Sequence, residues 1–352
     1  MLPQVLLLGA TGFTGQLVAQ ELLKQNISFY FSGTNTEKLV LYSKEWQMPF
    51  MQINLLDRND FAKIPQDIKF ILNCAGPFGL FAPLLLDFLF TKQVVYLDVS
   101  GEESFVFNSY RDHSKTKATL VHACAFESFI ADALVSRLPD PKDGFNELFS
   151  FYHFANPKVS PGTRLSMQLV RHFQTHAFEN SKWVARAPGE TNIEVNFEGV
   201  DPKICRAIFA PYPEILFFAK AHKSLNASSF ILAKESDWTQ FINESRAPKP
   251  IDEILSKHRS LARPGPSEEE RKKGRFMVAV RGISHEKIES RACVFGVDSY
   301  KITATIMVQS LVHLMQKESV PSGVFAPSEL VDSYAILDSL KEEFELAFLE
   351  PA

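Results

Sequence analysis

Three glycines spaced three apart, Gly9, Gly12 and Gly15, close an apolar run and open a helical pattern in the stretch Leu6 to Gly15. Such a turn lets backbone pass close to a phosphate, and the helix that follows aims its unpaired N–H groups at the negative charge. Val5 to Leu8 reads as the buried strand. Phe13, Leu17, Val18, Leu22 and Leu23 gather on one helical face, with Gln16, Gln20, Glu21 and Lys24 on another. The implied chemistry is anion binding, with Gly9, Thr11, Gly12, Phe13, Thr14 and Gly15 around a diphosphate. The spacing departs from the strict Gly-x-Gly-x-x-Gly fingerprint, and an ordinary strand-to-helix turn using glycine for positive φ is the competing reading.

Further polar groups recur where later strands should end. About 20 residues past the glycines, a site for NAD usually offers a carboxylate to the ribose 2′-hydroxyl, and one for NADP often offers Arg. This chain has Thr34 and Asn35 there, flanked by Ser32 and Lys38. The absent carboxylate leans toward NADP and leaves NAD open, while helix capping explains the same residues equally well. Asp57 stands either beside an adenine edge or at a helix cap. Ala75, Gly76, Pro77 and Phe78 form a small, rigid turn where a nicotinamide half would lie, or a plain tight turn. Tyr96, Asp98, Glu102, His122 and Glu127 stand at or near strand ends as proton donors or as structural polar groups, and none takes a firm catalytic role. His172 and His176 fall four apart in a predicted helix, but no further ligand follows nearby, so no metal site is expected.

Positioning these groups requires alternating elements. Strands are predicted at 5–8, 28–33, 50–55, 69–74, 94–99 and 119–124, with helical patterns at 37–46, 83–91, 103–117 and 129–138. Six strands separated by helices imply right-handed parallel crossovers, hence an α/β fold whose N-terminal part is a doubly wound parallel (Rossmann) sheet. Residues 1–140 form this dinucleotide-binding domain, and residues 141–327 a second, α+β domain for substrate or oligomer contact. In the second domain a strand is expected at 147–154, a helix at 162–177, a hairpin or two neighbouring strands at 278–283 and 288–295, and a helix opened by the capping box Ser267-x-x-Glu270. A helix follows at 299–316. A closing helix over 328–349 is expected to pack back on the first domain.

Composition narrows the function classes. A net charge of -4 across 352 residues gives no bulk attraction to nucleic acid. Four scattered cysteines suggest neither a zinc site nor a disulfide framework. No run of 18 apolar residues predicts a membrane span, although peripheral contact stays open, and no secretory segment is apparent, so a cytoplasmic location is expected. The 31 phenylalanines suit apolar cores, with an apolar ligand cavity as the alternative.

The set Gly9-Ala-Thr-Gly-Phe-Thr-Gly15, Asn73-Cys-Ala-Gly-Pro-Phe78, Tyr96-Leu-Asp-Val-Ser-Gly-Glu102 and Ala123-Cys-Ala-Phe-Glu-Ser128 resembles the saccharopine dehydrogenase-like oxidoreductases, and within them the trans-acting enoyl reductases. Gly265-Pro-Ser-Glu-Glu-Glu-Arg271, Thr303-Ala-Thr305 and Gly323-Val-Phe-Ala-Pro327 look like further landmarks of that group. The resemblance implies an NADP-linked enzyme followed by an α+β substrate domain, in some cases oligomeric. It departs at Thr34, where relatives carry Arg, at Cys124-Ala-Phe-Glu-Ser-Phe-Ile130, and at Gly296-Val-Asp-Ser-Tyr300. The resulting expectation is NAD(P)-dependent hydride transfer to a C=C bond of a small, apolar or acyl substrate. The alternatives are C–N chemistry and a dinucleotide-binding sensor or scaffold without turnover.

Overall fold

The computed structural model describes residues 4–139, 141, 144–234, 249–260 and 265–349. Strands and helices are numbered in chain order. The chain forms two compact units: one from residues up to 101, 105–126 and 300–332, the other from 102–104, 127–299 and 333 onward.

In the first unit, β1 (Val5–Leu8), β2 (Phe29–Gly33), β3 (Phe50–Gln52), β4 (Phe70–Asn73), β5 (Val95–Asp98) and β6 (Thr119–Val121) are the six expected strands. A seventh, β15 (Gly323–Phe325), joins beside β6. The order is β15-β6-β5-β4-β1-β2-β3, and every pairing is parallel. All four residues of β1 are at most 1% exposed, which is why that strand reads as an unbroken apolar run: both faces of a covered parallel sheet are interior. The register sets Leu8 opposite Asn73 and Asn73 opposite Asp98, so three carboxyl ends finish level. The connecting helices are α1 (Phe13–Lys24), α2 (Thr36–Trp46), the short α3 (Phe78–Phe81), α4 (Pro83–Leu89), α5 (Glu103–Asp112), which lies in this unit from Phe105 onward, and α6 (Phe126–Val135), whose first residue alone lies in this unit. The helix Ser299–Met315 also counts here from Tyr300 onward, so this unit is assembled from separated stretches rather than from one N-terminal block.

The second unit holds a mixed nine-stranded sheet. Its strands are β7 (Phe145–Ala155), β8 (His176–Glu179), β9 (Lys182–Ala185), β10 (Asn192–Glu194), β11 (Arg206–Phe209), β12 (Asn226–Ala233), β13 (Arg275–Ser284), β14 (Glu289–Val297) and β16 (Ala347–Leu349). The order is β10-β11-β12-β7-β13-β14-β16, with the β8–β9 hairpin reaching the sheet through β12. The strand pair expected near 278–295 is the β13–β14 hairpin. Ser267 and Glu270 form the expected capping box on the helix Glu268–Lys273.

Two expected helices break. The one at 162–177 ends as α7 (Pro161–Leu169) and a single 3-10 turn, and His176 starts β8. The β8–β9 turn, Asn180-Ser181, has φ of 48° and 62°, the left-handed pair that a two-residue hairpin requires, and it commits this segment to extended structure. The closing helix over 328–349 is instead two short helices, Pro327–Leu330 and Ser333–Ser339, followed by β16. Glu345 adopts φ of 50°, and the chain turns there to pair antiparallel with β14, so the final segment belongs to the second unit and not to the first.

Candidate functional site

The glycine turn is built by what each missing Cβ would strike. Gly9 has φ of +73°, and a Cβ there would lie 2.7 Å from the Ala75 nitrogen and 2.8 Å from the Cys74 carbonyl carbon. The loop after β4 therefore rests directly on the turn after β1. A Cβ on Gly15 would run into the Gly9 carbonyl oxygen and come within 2.8 Å of the Ala10 Cα. Gly12 differs: a Cβ would meet Gly9 O alone, at 3.2 Å, and otherwise face open space. The Gly12 N–H closes the turn on Gly9 O at 3.0 Å, and the Ala10 N–H ties it to Ser32 O of β2 at 2.9 Å.

Gly12 is the N-cap of α1, with no side-chain acceptor at the cap and no acid in the first turn. The first turn of this 12-residue helix carries no carboxylate, and the open side of Gly12 leaves room for an anion to approach its amides. Gly9 and Gly15 are thus consumed by close packing, while Gly12 stays accessible. Phe13 sits at the same junction with its ring edge-on to Tyr300, centroids 5.0 Å apart.

Around β2 the structure brings Thr11 under Gly33, whose Cβ would lie 2.7 Å from Thr11 Oγ1. Thr34, Asn35 and Lys38 are exposed beside this strand end. The Asn35 Oδ1 accepts the Lys38 N–H at 2.9 Å, so the capping role is real and occupies that oxygen. The Lys38 ammonium pairs with no acid among the described residues. Asp57 also caps: it accepts both the backbone and side-chain N–H of Asn59 at 3.0 Å.

At the β4 end, Asn73 folds back so that its Oδ1 accepts the Ala75 N–H at 2.9 Å. The Gly76–Pro77 peptide is cis, and Pro77 and Phe78 are buried. Of the five proton-donor candidates, Tyr96, Asp98 and His122 come together. Asp98 Oδ2 meets His122 Nδ1 at 2.6 Å, and the Tyr96 hydroxyl stands beside the Asp98 carboxylate. Burial, aided by the Asp98 carboxylate, holds the Tyr96 hydroxyl well above the ordinary tyrosine range, so it remains protonated at neutral pH. All three side chains are fully enclosed.

Glu102 and Glu127 belong to the second unit. Glu102 accepts the Ser166 hydroxyl at 3.0 Å. Glu127 stands near Glu214, a residue the sequence reading passed over. Glu214 is fully buried and accepts hydroxyls from Ser128, Ser150 and Tyr152 at 2.7, 2.6 and 2.6 Å. Burial raises both acids, Glu127 to about 8, with its own N–H opposing and the Glu214 carboxylate adding a further push. The signal for Glu214 was a lone acid ahead of Ile-Leu-Phe-Phe in α8 (Glu214–Lys220). His176 does not share a helix with His172. Its Nδ1 lies 3.1 Å from Glu103 Oε1, and among the described residues no group of His, Cys, Asp and Glu gathers as metal ligands.

Residues 5–82 match the model of the NAD dependent epimerase/dehydratase family. A protein of Arabidopsis thaliana named as a mitochondrial saccharopine dehydrogenase-like oxidoreductase is 29% identical, over 36% of this chain and 33% of its own length. A Mycobacterium tuberculosis protein named as a trans-acting enoyl reductase is 25% identical, over 41% of this chain and 38% of its own. The matched stretches thus span well under half of these relatives. The apo histidine-tagged saccharopine dehydrogenase (L-Glu forming) from Saccharomyces cerevisiae shares the fold along 99% of both chains, with a TM-score of 0.60 at 10% identity. The chain is therefore similar in sequence to saccharopine dehydrogenase-like and enoyl reductase-like oxidoreductases, and in fold to a saccharopine dehydrogenase. No helix among the described residues is long and apolar enough to cross a membrane.

Proposed function

We propose that this chain is an NAD(P)-dependent oxidoreductase that reduces a C=C bond of an apolar or acyl substrate. The observation that carries the reading is the cradle: Gly9 and Gly15 packed too tightly for any side chain, and Gly12 open above a helix start that holds no acid. Gly9, Thr11, Gly12, Phe13, Thr14 and Gly15 would hold the diphosphate. Thr34, Asn35 and Lys38 would face the adenosine ribose, with Asp57 toward the adenine, and Ala75, Gly76, Pro77 and Phe78 would receive the nicotinamide half. When bound, the nicotinamide supplies the hydride. NADP is favoured over NAD because β2 ends in Gly33-Thr34-Asn35, with no carboxylate for a 2′-hydroxyl and with the Lys38 ammonium close in sequence. Likeness to a protein named as an enoyl reductase supports the C=C assignment, and likeness to a saccharopine dehydrogenase-like protein supports C–N chemistry as the second reading.

Fluorescence titration of the purified chain with NADPH and NADH tests the cofactor. Tight binding of NADPH, weakened roughly threefold by Lys38→Ala with NADH unaffected, is the expected result. Absence of binding by both would sink the proposal. Loss of NADPH absorbance with an α,β-unsaturated thioester, but not with keto acids or imines, separates the two reactions, and binding without any turnover would leave a sensor.

A further inference from the structure

A buried polar cluster spans the ends of three neighbouring strands in the first unit. Asn73 accepts the Ala75 N–H through Oδ1 and donates to the Tyr96 hydroxyl through Nδ2, both at 2.9 Å. The Tyr96 hydroxyl stands beside the Asp98 carboxylate, whose Oδ1 takes the N–H groups of Ser100 and Ala123 at 3.0 Å. Asp98 Oδ2 meets His122 Nδ1 at 2.6 Å, and His122 Nε2 meets the Ser109 hydroxyl of α5 at 2.7 Å. A second path returns through rings. Phe105 packs edge-on against His122 with centroids 5.2 Å apart, and Phe78 lies 5.9 Å from Phe105. The segment 73–78 is therefore gripped at both ends, and between them Ala75 presses on Gly9.

Five polar side chains, each at most 1% exposed, form a costly way to fill a core, since apolar residues of similar volume would avoid the desolvation. Hydrogen bonds add direction. The three backbone amides they fix, those of Ala75, Ser100 and Ala123, belong to the loops after β4, β5 and β6. Because β1 lies between β4 and β2, a dinucleotide bound at Gly12 would send its adenosine half over β2 and its other half over β4.

We infer that the Asn73–Tyr96–Asp98–His122–Ser109 cluster is a positioning device for the nicotinamide half, setting the 73–78 loop against Gly9 in its receptive shape. The inference rests on the dinucleotide reading of the first unit. Its members are positioning residues: they act through the loop.

The test uses the full chain, with Tyr96→Phe removing one hydroxyl and Ser109→Ala cutting the far end of the cluster should the first variant fail to fold. Dissociation constants are measured by calorimetry for NADPH and for its adenosine half, 2′,5′-ADP, with NADH and ADP used instead if the wild type prefers NADH. A lost buried hydrogen bond should weaken the whole cofactor by about threefold to tenfold while leaving the adenosine half within about twofold. Unchanged cofactor affinity in the folded variants would overturn the inference, as would an equal loss for both ligands, which marks general structural damage. If the wild type bound neither ligand, the dinucleotide reading itself would fail and take the positioning role with it.

Discussion

The ammonium of Lys301 lies 2.8 Å from the carboxylate of Glu21, a residue 280 positions earlier in the chain. Glu21 is 1% exposed, on the inner face of α1, where a charge without a partner is expensive. This pair ties the late helix Ser299–Met315 to the helix that starts at the glycine cradle. A second tie joins the same helix to the α6 start, where Thr303 Oγ1 accepts the Phe126 N–H at 3.1 Å.

Removing the cation strands the acid. Lys301→Met should cost about 2 kcal/mol, below the usual range for a broken buried pair because Lys24 stays 3.7 Å from the other Glu21 oxygen. Adding Glu21→Gln to Lys301→Met should restore part of that loss. Urea unfolding of the single and double variants measures both values, and a double variant as unstable as the sum of its singles would deny the coupling.

The three glycines should separate stability from binding. Gly9→Ala places a methyl 2.7 Å from the Ala75 nitrogen at a φ of +73°, and Gly15→Ala drives one into the Gly9 carbonyl, so each should lower stability by about 2 kcal/mol or more. Gly12→Ala meets a single atom at 3.2 Å and should fold nearly as well as the wild type. Its methyl would nonetheless occupy the approach to the helix start, so NADPH affinity should fall about tenfold or more. Thermal melts alongside fluorescence titrations check this, and a folded Gly12→Ala variant with undiminished affinity would refute the cradle.

Acidity should stabilise the second unit. Glu127 titrates near 8 in the folded chain against an ordinary 4.5, and burial raises Glu214 as well. The native state keeps protons that the unfolded chain releases, so the stability is fully present below about 4.5 and is lost as pH climbs toward 8. The slope is at most about 1.4 kcal/mol per pH unit for each group. Glu127→Gln removes one of the two groups. Melting temperatures from pH 5 to 8 should fall more steeply for the wild type than for the variant; parallel curves would argue that Glu127 is already ionised.

Much of the first unit was legible because its signals are local. β1, β2, β4 and β5 are short apolar or β-rich runs bounded by turn residues, and α1 carries its amphipathic stripe over about three turns. The capping box at Ser267 and Glu270 works the same way, with both partners inside four residues. Residues 328–349 misled because Ser328 after Pro327 reads as the start of a helix, while β14 offers an edge whose backbone groups Ala347–Leu349 complete. His176 misled similarly, since the hairpin with β9 and the bond to Glu103 outweigh its place in a helical pattern.

The sequence by itself determined the alternation of strands and helices, the parallel sheet and the glycine turn that starts it, because backbone freedom and burial periodicity act over a few residues. Tertiary structure alone decided that Ala75 presses on Gly9, that Asn73, Tyr96, Asp98, His122 and Ser109 gather in one buried cluster, and that Glu214 lies buried among three hydroxyls. Those contacts depend on which strand lies beside which and in what register. Distant segments settle that order when they compete to satisfy buried polar groups, and no local pattern records the outcome.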